Sequence, residues 1–227
     1  MTMAFRVKIC GLTEPERVAD AVAEGASYLG FILYPPSPRA VEPAQLRELV
    51  RDVPARVGTV GVMVDPDDRW LETVLAAAPL DVVQLHGAES PTRVAQIGER
   101  FGVRTMKAIR VETADDLAAL PVYAEVADLI LFDAKPPRDA AWPGGHGLPF
   151  DWTVLRGIAP SRPWALAGGL CAENLARAVE LLHPPLVDVS SGVELRPGIK
   201  DPVKLRAFMA EVRRLGALTP SLEETSR

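Results

Sequence analysis

The sequence is poor in cysteine, histidine and lysine, and it contains no long apolar run. Only Cys10 and Cys171 occur among 227 residues. Their separation suits neither a disulfide framework nor a zinc site, so a reduced, cytoplasmic setting is the expectation. The histidines, His86, His146 and His183, are scattered, and no metal site is expected from them. Positive charge is also scarce: 25 Lys and Arg against 30 Asp and Glu give a net charge of -5, which excludes a nucleic-acid partner drawn by the overall field. An anionic ligand would have to be held locally. No stretch approaches the roughly 18 consecutive apolar residues of a membrane span. The opening decapeptide lacks a basic segment followed by a long apolar one, so no signal peptide and no membrane partner are expected. Monomer and homodimer both remain open.

What is present is an ordinary globular composition, 48% hydrophobic and 24% charged, at a length that fits one large domain. Short apolar runs alternate with longer amphipathic stretches. The runs are too short for helices and suit buried parallel strands, at 6–10, 28–33, 57–64, 81–85, 103–109, 128–133, 163–167 and 186–190. Helical patterns fall near 14–24, 43–52, 67–78, 90–100, 114–124, 173–182 and 202–215, with a shorter one from Asp151. Thr13 with Glu16 reads as a capping box; Ser90-Pro91 and Asp201-Pro202 read as caps before a first-turn proline. Strict alternation in eight units predicts an α/β fold, a single-domain (β/α)8 TIM barrel over 1–215 with a frayed tail at 216–227. An open doubly wound sheet would show a glycine-rich dinucleotide turn after its first strand, and Cys10-Gly11-Leu12-Thr13 is not one.

In a barrel of this kind functional side chains sit at the carboxyl ends of strands and in the loops that follow. That rule selects Cys10, Arg39, His86, Asp133 and Asp188. It also selects Gly168-Gly169 and Ser190-Ser191-Gly192, on neighbouring strands where barrels commonly bind phosphate. Each has a plainer alternative. Cys10 reads as a small buried hydrophobe, or as a base or nucleophile whose pKa is lowered from about 8.5 by cationic neighbours. Asp133, at the end of an apolar strand, reads as a salt-bridge partner of Lys135 or as a working carboxyl. Arg39 is a solvated loop charge or a ligand contact, His86 a core histidine or a ligand contact, and the glycine segments ordinary tight turns or a phosphate cradle. His183 reads as a helix C-cap. The connection 135–149, with its glycines and His146, reads as a mobile cover over the barrel mouth.

The strings Lys8-Ile9-Cys10-Gly11-Leu12-Thr13, Ser37-Pro38-Arg39, Val83-Gln84-Leu85-His86-Gly87, Leu131-Phe132-Asp133-Ala134-Lys135, Phe150-Asp151-Trp152, Leu166-Ala167-Gly168-Gly169-Leu170 and Asp188-Val189-Ser190-Ser191-Gly192-Val193-Glu194 follow one another across nearly the whole chain. In that order they resemble the phosphoribosylanthranilate isomerase family of tryptophan biosynthesis. The resemblance implies an aldose–ketose isomerase that uses no cofactor and takes a phosphorylated small-molecule substrate through an Amadori rearrangement. It further implies Cys10 as general base, Asp133 as general acid, Arg39 as the holder of the anthranilate carboxylate and Asp188 as a sugar contact. His86 joins the substrate-binding set, and Gly168, Gly169, Ser190, Ser191 and Gly192 the phosphate-binding set. His146 and Met63 depart from the family pattern, which usually has a small hydroxyl residue and phenylalanine there. Two rivals stand: the related histidine-pathway isomerase, whose first-strand base is an aspartate, and a non-catalytic phosphosugar-binding barrel.

Overall fold

The computed structural model describes residues 5–135 and 150–218. Eight parallel strands close into a barrel in chain order, β1 (Arg6–Cys10), β2 (Tyr28–Ile32), β3 (Gly58–Met63), β4 (Val82–Leu85), β5 (Arg104–Val111), β6 (Leu129–Ala134), β7 (Trp164–Leu166) and β8 (Leu186–Val189), with β8 pairing back onto β1. Strand alternation sorts the side chains. In β1, Val7 and Ile9 are fully buried in the large apolar cluster between sheet and helices, while Lys8 and Cys10 point into the barrel. A second cluster, including Tyr28, Val60, Val82, Met106, Leu129 and Leu186, fills the lower interior. The barrel is therefore a packed core with its polar residues collected toward one end.

Around the sheet lie α1 (Pro15–Ala23), α2 (Pro43–Val50), α3 (Asp68–Ala77), α4 (Pro91–Phe101), α5 (Leu120–Val126), α6 (Ala172–Leu182) and α7 (Pro202–Leu218). Ser90 caps α4 by accepting from the Arg93 N–H, and Asp201 accepts from Val203 and Lys204 at the start of α7. His183 ends α6 in the left-handed region, with its N–H on Val179 O, as a C-cap does.

Four expectations are corrected. Thr13 and Glu16 form no capping box: α1 begins at Pro15, and Thr13 Oγ1 instead donates to Gly198 O at 2.8 Å. The single helix expected over 114–124 is a 3₁₀ turn, Ala114–Leu117, followed by α5. Pro121 has no N–H to continue a helix, but it is accommodated in the first turn of a new one. The element after Asp151 is a 3₁₀ turn, Trp152–Leu155. Lastly, α7 runs to Leu218, past the boundary at 215, so 216–218 are helical. The rest of the expected tail and the glycines and histidine of the long connection lie outside the described residues.

After β8 the chain adds an antiparallel pair absent from the sequence reading, β9 (Glu194–Arg196) and β10 (Ile199–Lys200), turned by Pro197-Gly198. This ribbon aims Glu194 and Lys200 at the barrel mouth.

Below the β4–α4 loop sits a buried ion pair. Lys107 Nζ meets Glu89 Oε2 at 2.6 Å, with the side chains 4% and 1% exposed, and also donates to Gly87 O at 2.8 Å. Burial alone would push the Glu89 carboxyl up, but Lys107 and the backbone N–H groups of Asp65 and of Glu89 itself hold it below the usual glutamate range. A depressed folded-state pKa contributes stability that is present above the unfolded glutamate value, about 4.3, and is lost as pH falls through the lower folded value. Glu89→Gln leaves a buried ammonium without its counter-charge and is expected to cost about 3–5 kcal/mol, read by denaturant titration at neutral pH. The deficit relative to wild type should shrink in acid. A pH-independent difference would show that the pair's charge is not what stabilises this loop.

Candidate active site

The mouth is built from residues two positions above the barrel's middle layer. On β1, Cys10 stands over Lys8; on β4, His86 stands over Gln84; on β8, Ser190 stands over Asp188. Each pair shares a face because side chains on a strand repeat every second residue. Cys10 lies opposite Gly30 in register, and a Cβ at Gly30 would come within 2.9 Å of Cys10 Sγ and 3.1 Å of Lys8 Cε. Glycine is needed there so that thiol and ammonium fit inside the barrel.

Lys8 is wholly buried and bridges to Asp188 Oδ2 at 2.9 Å, whereas Asp188 Oδ1 is buried with no hydrogen-bond partner. Burial pulls the Lys8 ammonium down, but Asp188 and then Cys10 outweigh it and leave its pKa above the ordinary value. Cys10 behaves contrary to the expectation of a lowered pKa. Burial pushes the thiol up, Lys8 and Lys200 oppose that rise, and the thiol ends above its usual range. Cys171, half-buried at the start of α6, is also pushed up by burial. Access therefore decides reactivity. In the ligand-free protein iodoacetamide is expected to label Cys171 before Cys10, by mass spectrometry of tryptic peptides; preferential labelling of Cys10 would mean its thiolate is populated at rest.

Asp133 has no bond to Lys135, which pairs instead with Asp116 at 3.0 Å. Its Oδ2 lies 3.1 Å from His86 Nε2, and both side chains are about nine-tenths buried. His86 Nδ1 rests 3.0 Å from Gln84 Nε2, and Arg110, the register neighbour of Asp133 on β5, donates to His86 O at 2.5 Å. Arg39 is not a solvated charge either. It is 2% exposed and gives a bidentate fork to Glu194, Nε to Oε1 and Nη2 to Oε2, both 2.8 Å. Lys200 completes the group, reaching Glu194 Oε1 at 2.8 Å and Ser190 O at 3.0 Å. Burial is the main cause of a lowered Lys200 pKa, with Glu194 opposing and Arg39 contributing.

The loops after β7 and β8 touch. A Cβ at Gly192 would fall 1.9 Å from Leu170 O, an impossible approach for any other residue. Gly168 and Gly169 both hold positive φ, and Asn174 ties the loop by donating to Gly169 O and accepting from Cys171 N–H. A 3₁₀ turn at Ser191–Val193 and the first turn of α6 present backbone N–H groups at this junction.

All the selected residues thus gather at one end of the barrel. The sequence reading missed Lys200, Glu194 and Gln84. Lys200 sits on a ribbon whose only signal is Pro197-Gly198, while Glu194 and Gln84 were overlooked inside strings valued for Asp188 and His86. Among the described residues no group of three or more His, Cys, Asp or Glu could hold a metal ion. None of the described helices is long and apolar enough to cross a membrane.

The family profile described as N-(5'-phosphoribosyl)anthranilate (PRA) isomerase matches residues 7–211. The chain belongs to the phosphoribosylanthranilate isomerase family. It is 54% identical over 208 residues to the N-(5'-phosphoribosyl)anthranilate isomerase of Paracoccus denitrificans, covering 92% of this chain and 97% of that protein. The phosphoribosylanthranilate isomerase crystal structure from Thermus thermophilus superposes with a TM-score of 0.82 at 36% identity, covering 93% of this chain and 100% of that one. Another phosphoribosylanthranilate isomerase, crystallised with reduced 1-(o-carboxyphenylamino)-1-deoxyribulose 5-phosphate, superposes at 0.80 with 33% identity over 92% of this chain and 99% of that one. The expected barrel and family are both borne out.

Proposed function

We propose that the chain isomerises N-(5'-phosphoribosyl)anthranilate to 1-(2-carboxyphenylamino)-1-deoxyribulose 5-phosphate, with Asp133 as acid and Cys10 as base. Asp133 gives its proton to the furanose oxygen as the C1–O bond breaks, and the substrate's amine lone pair closes an iminium. That cation acidifies the C2 proton. Cys10 thiolate takes it, the released pair forms C1=C2, and the enolamine becomes the ketone as its hydroxyl loses a proton and C1 gains one. The thiol gives its resting proton to solvent as it ionises and regains one from C2, and the carboxylate recovers one from solvent, so the balance closes without a cofactor. Each proton transfer is worth about 10²- to 10⁴-fold.

The observation that supports this most is the thiol between two ammonium groups, Lys8 and Lys200, at the same mouth as a carboxyl held by imidazole. At rest burial keeps the thiol protonated; the iminium formed beside it adds the positive charge that favours ionisation. The phosphate lies on Gly168, Gly169, Ser190, Ser191 and Gly192, where two loops meet. Asp188, with one oxygen committed to Lys8, offers the other to a sugar hydroxyl, and His86 lines the same end.

Arg39 serves the anthranilate carboxylate while Glu194 fixes its plane. Arg39→Lys keeps a charge but loses the fork, so KM is expected to rise about tenfold with a smaller change in kcat. An unchanged KM would remove Arg39 from the binding set. The reaction itself is tested by adding the substrate to purified, EDTA-treated protein and following the C2 carbonyl carbon by NMR. Its appearance at a rate far above the buffer control supports the proposal, and no conversion overturns it.

A further inference from the structure

Gln84, in the layer beneath the mouth, has no task in the proposed reaction. It is 1% exposed, lies one layer beneath His86, and is flanked in register by Val62 of β3 and Met106 of β5. Its amide makes one hydrogen-bond contact, Nε2 to His86 Nδ1, and Oε1 is a buried orphan. An amide buried this way costs about 1–3 kcal/mol per unmade bond, and an apolar residue of the same shape would pack without that cost. The amide, the imidazole and the carboxyl of Asp133 stand in line, with each ring nitrogen facing one of them.

A neutral imidazole donates from one nitrogen and accepts at the other. When Nδ1 carries the hydrogen, Nε2 can only accept, and the 3.1 Å contact then requires the proton to sit on Asp133. As placed, Gln84 Nε2 donates to Nδ1, so the ring Nε2–H faces Asp133 Oδ2; a half-turn of the amide, which exchanges oxygen and nitrogen in one outline, places Oε1 on Nδ1–H, reverses both contacts and gives the other state its partner. A carboxylate in place of the amide would instead favour a doubly protonated ring and draw the proton away from Asp133.

We propose that Gln84 is a positioning residue that turns the accepting nitrogen of His86 toward Asp133 and so keeps the transferable proton on the acid. This rests on Asp133 being the acid, as argued above. Among the described residues, the other charged or titratable groups beside the line are Arg110 from β5 and Asp188 from β8, with Lys8 and Cys10 of β1 next to Asp188; all are unchanged in the variants below.

The test uses Gln84→Glu and Gln84→Met in the whole protein, with kcat and KM measured across pH and histidine ¹⁵N spectra recorded without substrate. In Gln84→Glu, His86 is expected to become doubly protonated at neutral pH, kcat to fall about tenfold or more with KM little changed, and the alkaline limb of kcat to move to lower pH. In Gln84→Met, which keeps the packing, the spectrum should lose its single Nδ1–H tautomer and kcat should fall, again without a KM change. Because the spectra need no substrate, they separate failure of this inference from failure of the isomerase reading. A wild-type tautomer in both variants overturns the proposal, as does a fall in kcat with an unmoved pH limb in Gln84→Glu. Should Gln84→Glu not fold, an unchanged tautomer in Gln84→Met overturns it alone.

Discussion

Cys10→Ser lowers kcat for the isomerisation by about two to four orders of magnitude while leaving the melting temperature within a few degrees of wild type. The substitution exchanges one atom in a side chain that is 6% exposed, so packing against Gly30 and Lys8 is preserved. What changes is acidity. A thiol raised by burial can still ionise when Lys8, Lys200 and a substrate iminium act together, whereas a serine hydroxyl under the same field stays protonated. The loss should therefore appear in kcat and not in KM, since the anion is needed at the proton transfer and the phosphate anchor is untouched. Steady-state kinetics beside a thermal melt check this. Rates within a factor of a few of wild type would assign the base to another group.

Asp133→Asn is the second large effect, a fall of about two to four orders of magnitude in kcat, for a different reason. An asparagine keeps the shape, can accept the Ala134 N–H as Asp133 Oδ1 does, and still faces His86 Nε2. It has no transferable proton of suitable acidity for the ring oxygen. Ring opening then becomes the slow step, so a substrate analogue that is already open-chain should be processed by Asp133→Asn with much of the wild-type rate. Equal losses on closed and open substrates would place Asp133 in binding and not in acid catalysis.

Much of this was legible in the residues. Apolar runs too short for helices located every strand of the barrel, because burial on both faces requires such runs. Strand-end position alone nominated Cys10, His86, Asp133 and Asp188. Where local reading failed, a distant partner had intervened. Thr13 had the composition of a cap, yet its hydroxyl is claimed by Gly198, which is remote in sequence. Arg39 stayed open between a solvated charge and a ligand contact because its counter-ion, Glu194, lies 155 positions away on a ribbon with almost no apolar signal. The sign of the Cys10 shift was hidden for the same reason: a sequence displays cationic neighbours but not how deeply the thiol is buried, and burial is the larger effect.

The measurement that tests the account most directly is a crystal structure of this chain with the reduced product analogue bound. It should place the phosphoryl group on the backbone N–H groups of the Gly168-Gly169 and Ser190–Gly192 loops. Cys10 Sγ and the Asp133 carboxyl should each lie within hydrogen-bond reach, about 3–3.5 Å, of the C1–C2 unit and its hydroxyl groups, on opposite sides. A phosphoryl group seated elsewhere, or either side chain separated from the sugar carbons by another protein group, would contradict it.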